Sequence, residues 1–519
     1  NLGVAPAMIW VKRRNVAGNW AVFHRELDLG GTPQQKSIPL NLDTTEDSDN
    51  GYWNLTLPTS TVFSVGDRPE TNNSGDTYVA YLFAHNNGDG DFGPYGDQDI
   101  IKCDSFTGNG STKTITLGFE PQLVLIKNED LTSTNWTWFD NIRGLNNIKS
   151  RALYLNDDAN ETSADIGTGS VIIPTPTGFI LNTSSTYVNH NNSKHIFMAI
   201  RRGPLKPPTS VSNFFGIDTL GSTGDADHPA YRTTFPVDFA LRKDVGATGN
   251  WEALTRLLQG TSLRPNDTNA EDSGSSADQF DYPNGYNSGT TTDADKYSWM
   301  WRRAPEYFDV VTYTGTGSAT TITHTLGVAP EMIWVKRRSD TGNWRVAIPS
   351  LSSSNGLLNL ESNGAASSLD NNNFGDSSNN YQTPTATNFG VGTNVATNGS
   401  SSTYIAYLFA SCSISKVGSY TGDGTTDGSK VIDCGFSAGV KFLMIKRTDS
   451  TGNWQIFDAD RGIVAGSDPN VRLDLTGAHE QSIDYIDPDN SGFIVGVGTD
   501  SRDVTNVSTA TYLFYAIAA

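Results

Sequence analysis

Several short stretches of the chain alternate apolar and polar positions with a period of two. MIWVKRR (8–14), its copy at 332–338 and FLMIKR (442–447) each place successive side chains on opposite faces. That is the pattern of a strand in a sheet with one side buried. A second class of run is apolar on both faces: TYVAYLFA (77–84), HIFMAIRR (195–202), KYSWMWRR (296–303), TYIAYLFA (403–410) and TYLFYAIAA (511–519). Such runs predict central strands covered on either side. Turn residues stand between them, as in TDSTGNW, where Asp449 and Gly452 favour a turn and Trp454 begins a return strand. NWEALTRLLQG (250–260) is the one segment that predicts a helix, ending at Gly260.

The strands recur in a fixed order. LGVAPAMIWVKRR (2–14) and LGVAPEMIWVKRR (326–338) differ only at Ala7 and Glu331, and LGFEPQLVLIKN (117–128) and CGFSAGVKFLMIKR (434–447) are weaker copies. An Asn-Trp pair follows each, at Asn19-Trp20, Asn135-Trp136, Asn343-Trp344 and Asn453-Trp454, with a fifth, Asn250-Trp251, after VDFALRK (237–243). A Gly turn opens most units (SFTGNG, TYTGTG, SYTGDG), and Pro-led turns at Pro58, Pro174, Pro384 and Pro488 precede a Phe strand. The five tryptophans lie 116, 115, 93 and 110 residues apart, a domain-sized period. The chain therefore divides into repeats at 1–86, 99–202, 210–303 (divergent), 306–411 and 412–519. The expected fold is all-β: a tandem array of five jelly-roll-like β-sandwich domains of about 100 residues each. Repeat 1 lacks an opening strand, because EYFDVVTYTGTGSATTITHT (306–325) precedes LGVAP in repeat 4 whereas only Asn1 precedes Leu2. Two expectations follow: a chain cut from a longer product, which is the plainer, or an edge completed by a neighbouring subunit.

Composition narrows the function classes. The 519 residues carry 36 Lys+Arg against 56 Asp+Glu, a net charge of −20 that repels phosphate backbones and argues against a nucleic-acid partner. No run approaches the 18 or so apolar residues of a membrane-spanning helix. Cys103, Cys412 and Cys434 form neither a disulfide framework nor metal-ligand spacing.

The combination SYTGDG…GF…LMIKRTDSTGNWQIFDADRG…SGF…YLFYAIA resembles a repeat domain common in tailed-phage virion proteins, especially those of marine phages. HIFMAIRRGPLKPPT (195–209) resembles the junction that often follows it. The resemblance covers all five units, most weakly the third. It implies a virion structural role as a tail-fibre, tail-associated or capsid-decoration component contacting the host surface. It further implies location on the extracellular particle, with other virion proteins and copies of itself as partners in a homo-oligomer, a trimer by preference. Host glycans are a further partner class. It assigns no catalytic residue.

Each candidate site in the sequence has a plainer reading beside it. Five exposed indoles would make a multivalent sugar binder, but a Trp at a fixed place after a hairpin is expected in the sandwich core. Lys12-Arg13-Arg14 and Lys336-Arg337-Arg338 suggest an anionic glycan site, against a solvated strand end as the expectation; repeat 2 has Lys127-Asn128-Glu129 there. Asp140/Arg143 and Asp458/Arg461 read as turn-stabilising ion pairs, and His24-Arg25-Glu26 as divergence of that stretch. DPDNSG (487–492) opens like a calcium loop through Asp487, Asp489 and Ser491, yet Gly498 stands where the bidentate Glu belongs. Asp89, Asp91 and Asp97 are a linker alternative. No nucleophile–base pair or carboxylate pair is singled out by spacing. The expectation is thus no enzyme, no catalytic, cofactor or metal residues, and no membrane partner. The alternatives are a carbohydrate-binding adhesin reading sugars through Trp53 or Tyr95, and a glycan depolymerase.

Overall fold

A computed structural model describes residues 2–85, 98–161, 166–167, 169–221, 228–272, 278–288, 292–351, 356–375, 380–498 and 504–519. The protein is an all-β, multi-domain sandwich protein whose antiparallel sheets fall into two compact units, Asn1–Leu205 and Lys206–Ala519.

Repeat 5 shows the plan. Its large sheet runs, edge to edge, Ser415–Thr421 (opening strand), Thr511–Ala518 (closing strand), Val440–Arg447 (Lys strand), Gln455–Asp458 (return strand) and Val471–Arg472. A second sheet of Lys430–Asp433, Gly492–Val495 and Ile486–Asp489 covers one side. Alternation along the Lys strand sends Leu443 and Ile445 into the core between the sheets, with Phe457, Phe493, Val495 and Tyr512. It sends Phe442, Met444 and Lys446 out of the opposite side. Repeats 2 and 4 follow the same order, and repeat 3 keeps four of the five large-sheet strands. The closing strands of repeats 2 to 5 sit between two neighbours, as their doubly apolar pattern requires.

Repeat 1 differs. Among the described residues its closing strand, Tyr78–Ala84, is an edge of the sheet with the Lys strand Pro6–Arg13 as its one neighbour. The inner side of that sheet is covered by Tyr52 and Trp53, packed on Ile9, Val11 and Phe23.

Two local expectations are corrected. Residues 250–260 do not form an α-helix: Glu252–Thr255 is the return strand of repeat 3, followed by one short 3₁₀ turn, Arg256–Leu258. Pairing with the Lys strand Phe239–Asp244 overrides the helix propensity of Glu, Ala and Leu. Pro174 and Pro488 lie in strands beside their turns, paired with Phe179 and Phe493. Both strands are sheet edges, where a residue without an N–H is tolerated.

Candidate functional site

The recurring Asn-Trp pair is built the same way each time. A polar side chain 15–21 residues on accepts the tryptophan backbone N–H: Asn41 for Trp20 (2.8 Å), Asn156 for Trp136 (2.7 Å), Asn266 for Trp251 (2.9 Å), Glu361 for Trp344 (3.1 Å) and Asp474 for Trp454 (3.0 Å). These bonds fix the start of the return strand, and the alternation then turns the indole to the outer side of the large sheet. The tryptophans are absent from the cores between sheets, which corrects the expected placement.

On that outer side four of the five indoles meet another repeat. Trp136 Nε1 donates to the Pro39 carbonyl (2.9 Å), Trp344 to Arg264 (2.9 Å), Trp454 to Asn359 (3.1 Å) and Trp251 to Arg472 (2.9 Å). Every acceptor lies two residues before the polar side chain that pins the neighbour's own Trp. A second bond uses the residue two after it: the turn N–H groups of Thr134, Gly342, Gly452 and Gly249 donate to the carbonyls of Asp43, Thr268, Asn363 and Thr476. Each repeat thus has a donor side and an acceptor side. In the second unit repeat 4 donates to 3, repeat 5 to 4 and repeat 3 to 5, which closes a three-membered cycle.

Aromatic side chains fill the middle of this cycle. Phe239 of repeat 3 meets Tyr407 of repeat 4 at 4.6 Å between ring centroids, Trp301 meets Phe442 of repeat 5 at 5.4 Å, and Phe409 meets Tyr515 at 5.0 Å. The lysine of each Lys strand is drawn in as well. Lys336 Nζ donates to Gly342 (2.6 Å) in its own turn and to Thr268 (2.9 Å) in the neighbour, and Lys446 to Gly452 (2.7 Å) and Asn363 (3.3 Å). Both side chains are fully buried, so Lys336 is not the solvated strand end expected. Carbonyl oxygens take over from water around the ammonium, and burial lowers both groups to about 8. Arg338 crosses to Glu271 of repeat 3, while Arg337 pairs with Asp340 of its own turn.

The Asp458–Arg461 pair (2.6 Å) also belongs to this contact, because Asp458 accepts the indole N–H of Trp299 from repeat 3 (3.0 Å). His24 stands at the matching place in repeat 1, and its Nε2 lies 3.1 Å from the Phe197 carbonyl of repeat 2. Complete burial holds its imidazole down at about 4. The sequence shows Asp458 and His24 as local turn residues; their role across repeats has no signal in one unit taken alone.

The remaining candidates stay apart from the cycle. Asp489 Oδ1 accepts from the Ser491 N–H and hydroxyl, which makes DPDNSG a hydrogen-bonded hairpin turn. Among the described residues no group of three or more His, Cys, Asp or Glu is placed to hold a metal. Asp89, Asp91, Tyr95 and Asp97 lie outside the described residues. Trp53 is buried, with its indole on the Lys36 carbonyl (2.8 Å), so it is no loop platform for a sugar. No helix among the described residues is long and apolar enough to cross a membrane.

No curated protein and no solved structure matches the chain. The pattern of one family, described as a domain of unknown function (DUF7483), matches residues 1–204 and 266–519, leaving out the first half of the divergent third repeat. Since these residues are most of the sequence and contain four of the five Asn-Trp pairs, the chain belongs to the DUF7483 family.

Proposed function

We propose that the chain is a non-enzymatic structural protein of a tailed-phage virion, a tail-fibre, tail-associated or capsid-surface component. The observation that carries this reading is the use made of the recurring residues: the Lys strand and the Asn-Trp pair hold one repeat to another instead of converging on a reactive site. Modules locked side by side suit a part that bears load and presents loops. The resemblance to tailed-phage virion repeats supplies the setting, with other virion proteins and copies of the chain as neighbours. Its variable loops are the surface available for host contact. Four of the five recurring tryptophans are buried, which removes the array of exposed indoles that a multivalent sugar binder needs.

Antibody labelling of purified particles tests the proposal. Labels fixed to tail, fibre or capsid surface are the expected result, and particles free of the chain overturn it. Incubation with host capsule or lipopolysaccharide tests the non-enzymatic part: shortened glycan chains refute it.

A further inference from the structure

The first unit contains only two members of the cycle that the second unit completes. We propose that its open side is a docking face for a third repeat of the same family, joined to the polypeptide ahead of Asn1. That repeat closes residues 1–205 into the same three-membered arrangement. The inference is independent of the virion reading.

Equivalent positions carry the argument. On the donor side of repeat 1, Tyr81 is 47% exposed, whereas Met198, Trp299, Tyr407 and Tyr515 in the same register of the closing strand are buried. Trp20 and Lys12 are half-buried where their counterparts in the other four repeats are buried. On the acceptor side of repeat 2, Leu155 is 38% exposed, whereas Leu40, Leu360 and Leu473, each likewise just before the pinning residue, are buried by a neighbour. The ion pairs agree. Arg461 and Asp458 are 2% and 0% exposed beneath repeat 3, while Arg143 and Asp140 of repeat 2 are 34% and 17% exposed. Where the two sides face each other, Trp10, Trp20, Tyr81, Trp138 and Leu155 line a hollow of about 360 Å³. In the second unit that place is filled by aromatic side chains of three repeats.

The occupant follows from the geometry of the bonds. A cycle member must offer an indole to repeat 2 and a carbonyl to Trp20, so both of its sides must be unoccupied. The two-residue offsets direct its indole to the Tyr154 carbonyl and its turn N–H to Asp158, on either side of Asn156. A second copy of residues 1–519 has no such repeat to give. Its repeats 3 to 5 are mutually closed, the acceptor side of its repeat 1 holds repeat 2, and the donor side of its repeat 2 holds repeat 1. In the closed cycle the members are consecutive in sequence, each later one donating to the one before. Repeat 3 is already built into the second unit, so the missing member precedes repeat 1.

Photo-crosslinking tests this on the polypeptide translated from the complete reading frame, with Trp20 replaced by p-benzoylphenylalanine and, separately, Leu155. The expected product from both positions is an intramolecular link to one family repeat ahead of Asn1. At Trp20 the link falls near the residue that pins that repeat's Asn-Trp pair; at Leu155 it falls near the pair itself. A link to a second copy, to another protein or to a glycan overturns the proposal, as does the absence of any link. A stability readout supports the crosslink. Trp20→Ala shifts the unfolding equilibrium of the first unit by at least about 100-fold in the complete product, and far less in residues 1–519 alone. Equal shifts in the two contexts refute the docking.

Discussion

Trp344 and Trp20 occupy the same place in their repeats, one beneath a neighbour and the other on an open side, so the same substitution should cost very different amounts. A buried Trp removes about 200 Å² from water, which at about 25 cal/mol per Å² is about 5 kcal/mol. Trp-to-Ala changes in packed sites cost about 3–5 kcal/mol, because neighbours collapse only partly into the space left. Trp344→Ala also strips the Arg264 carbonyl of its indole donor, an added cost of about 1 kcal/mol or more. The expected destabilisation is therefore about 4 kcal/mol. Trp20→Ala in residues 1–519, with part of its surface already wet and no described acceptor for the indole, should cost about 1 kcal/mol. Urea titration with native-state hydrogen exchange reads both. For Trp344→Ala the loss of protection must appear across the contact in repeat 3, around Arg264–Thr268, as well as in repeat 4. Trp344→Phe keeps most of the apolar area and should fall between the two. Equal costs at Trp20 and Trp344, or a loss confined to repeat 4, would refute the claim that these indoles join repeats.

Three further outcomes follow from the same contacts. Asp458→Asn should destabilise the second unit by about 3–5 kcal/mol, since it leaves the Arg461 guanidinium buried without its charge partner, while Asp140→Asn at the exposed pair should cost about 1 kcal/mol or less; thermal denaturation of both variants compares them. Burial lowers the folded-state ammonium of Lys336 from 10.5 to about 8, so between those values the unfolded chain holds more protons and stability rises with pH. From pH 8 to 9.5 the protein should gain more stability in urea titrations than a Lys336→Met variant, in which Lys446 still titrates. His24 is held down at about 4 from 6.5, so stability present above pH 6.5 is lost as pH falls towards 4. Denaturation midpoints of the protein and of His24→Asn should therefore converge with acid, and a constant separation contradicts the assignment.

Much of this architecture is legible in one sequence, for identifiable physical reasons. Period-two alternation in MIWVKRR and FLMIKR reports a sheet with one dry face, and the doubly apolar closing runs report central strands; both are local signals. What alternation cannot report is what covers the other face. Lys336 and Trp344 point away from the sandwich core, and on a lone domain that direction is solvent. Only the presence of the neighbouring repeat makes it interior. The helical reading of 250–260 is overturned for a related reason: side-chain propensity is outweighed by a strand partner 10–16 residues away. Asp458 and His24 read as turn residues because the atoms they meet, the Trp299 indole and the Phe197 carbonyl, are 159 and 173 residues distant in the chain.

The closed cycle of repeats 3, 4 and 5 has the contacts of a trimer but not its mass action. Three separate subunits dissociate on dilution, and their stability depends on protomer concentration. Here the partners are tethered by short connections, and the third contact forms at an effective concentration in the millimolar range however dilute the protein becomes. Each position can also diverge on its own: repeat 3 has Trp299 where repeats 4 and 5 have Tyr407 and Tyr515, a change that symmetry would force on every subunit of a homotrimer. An assembly built this way is whole as soon as one chain has folded, with three different loop sets held in one order.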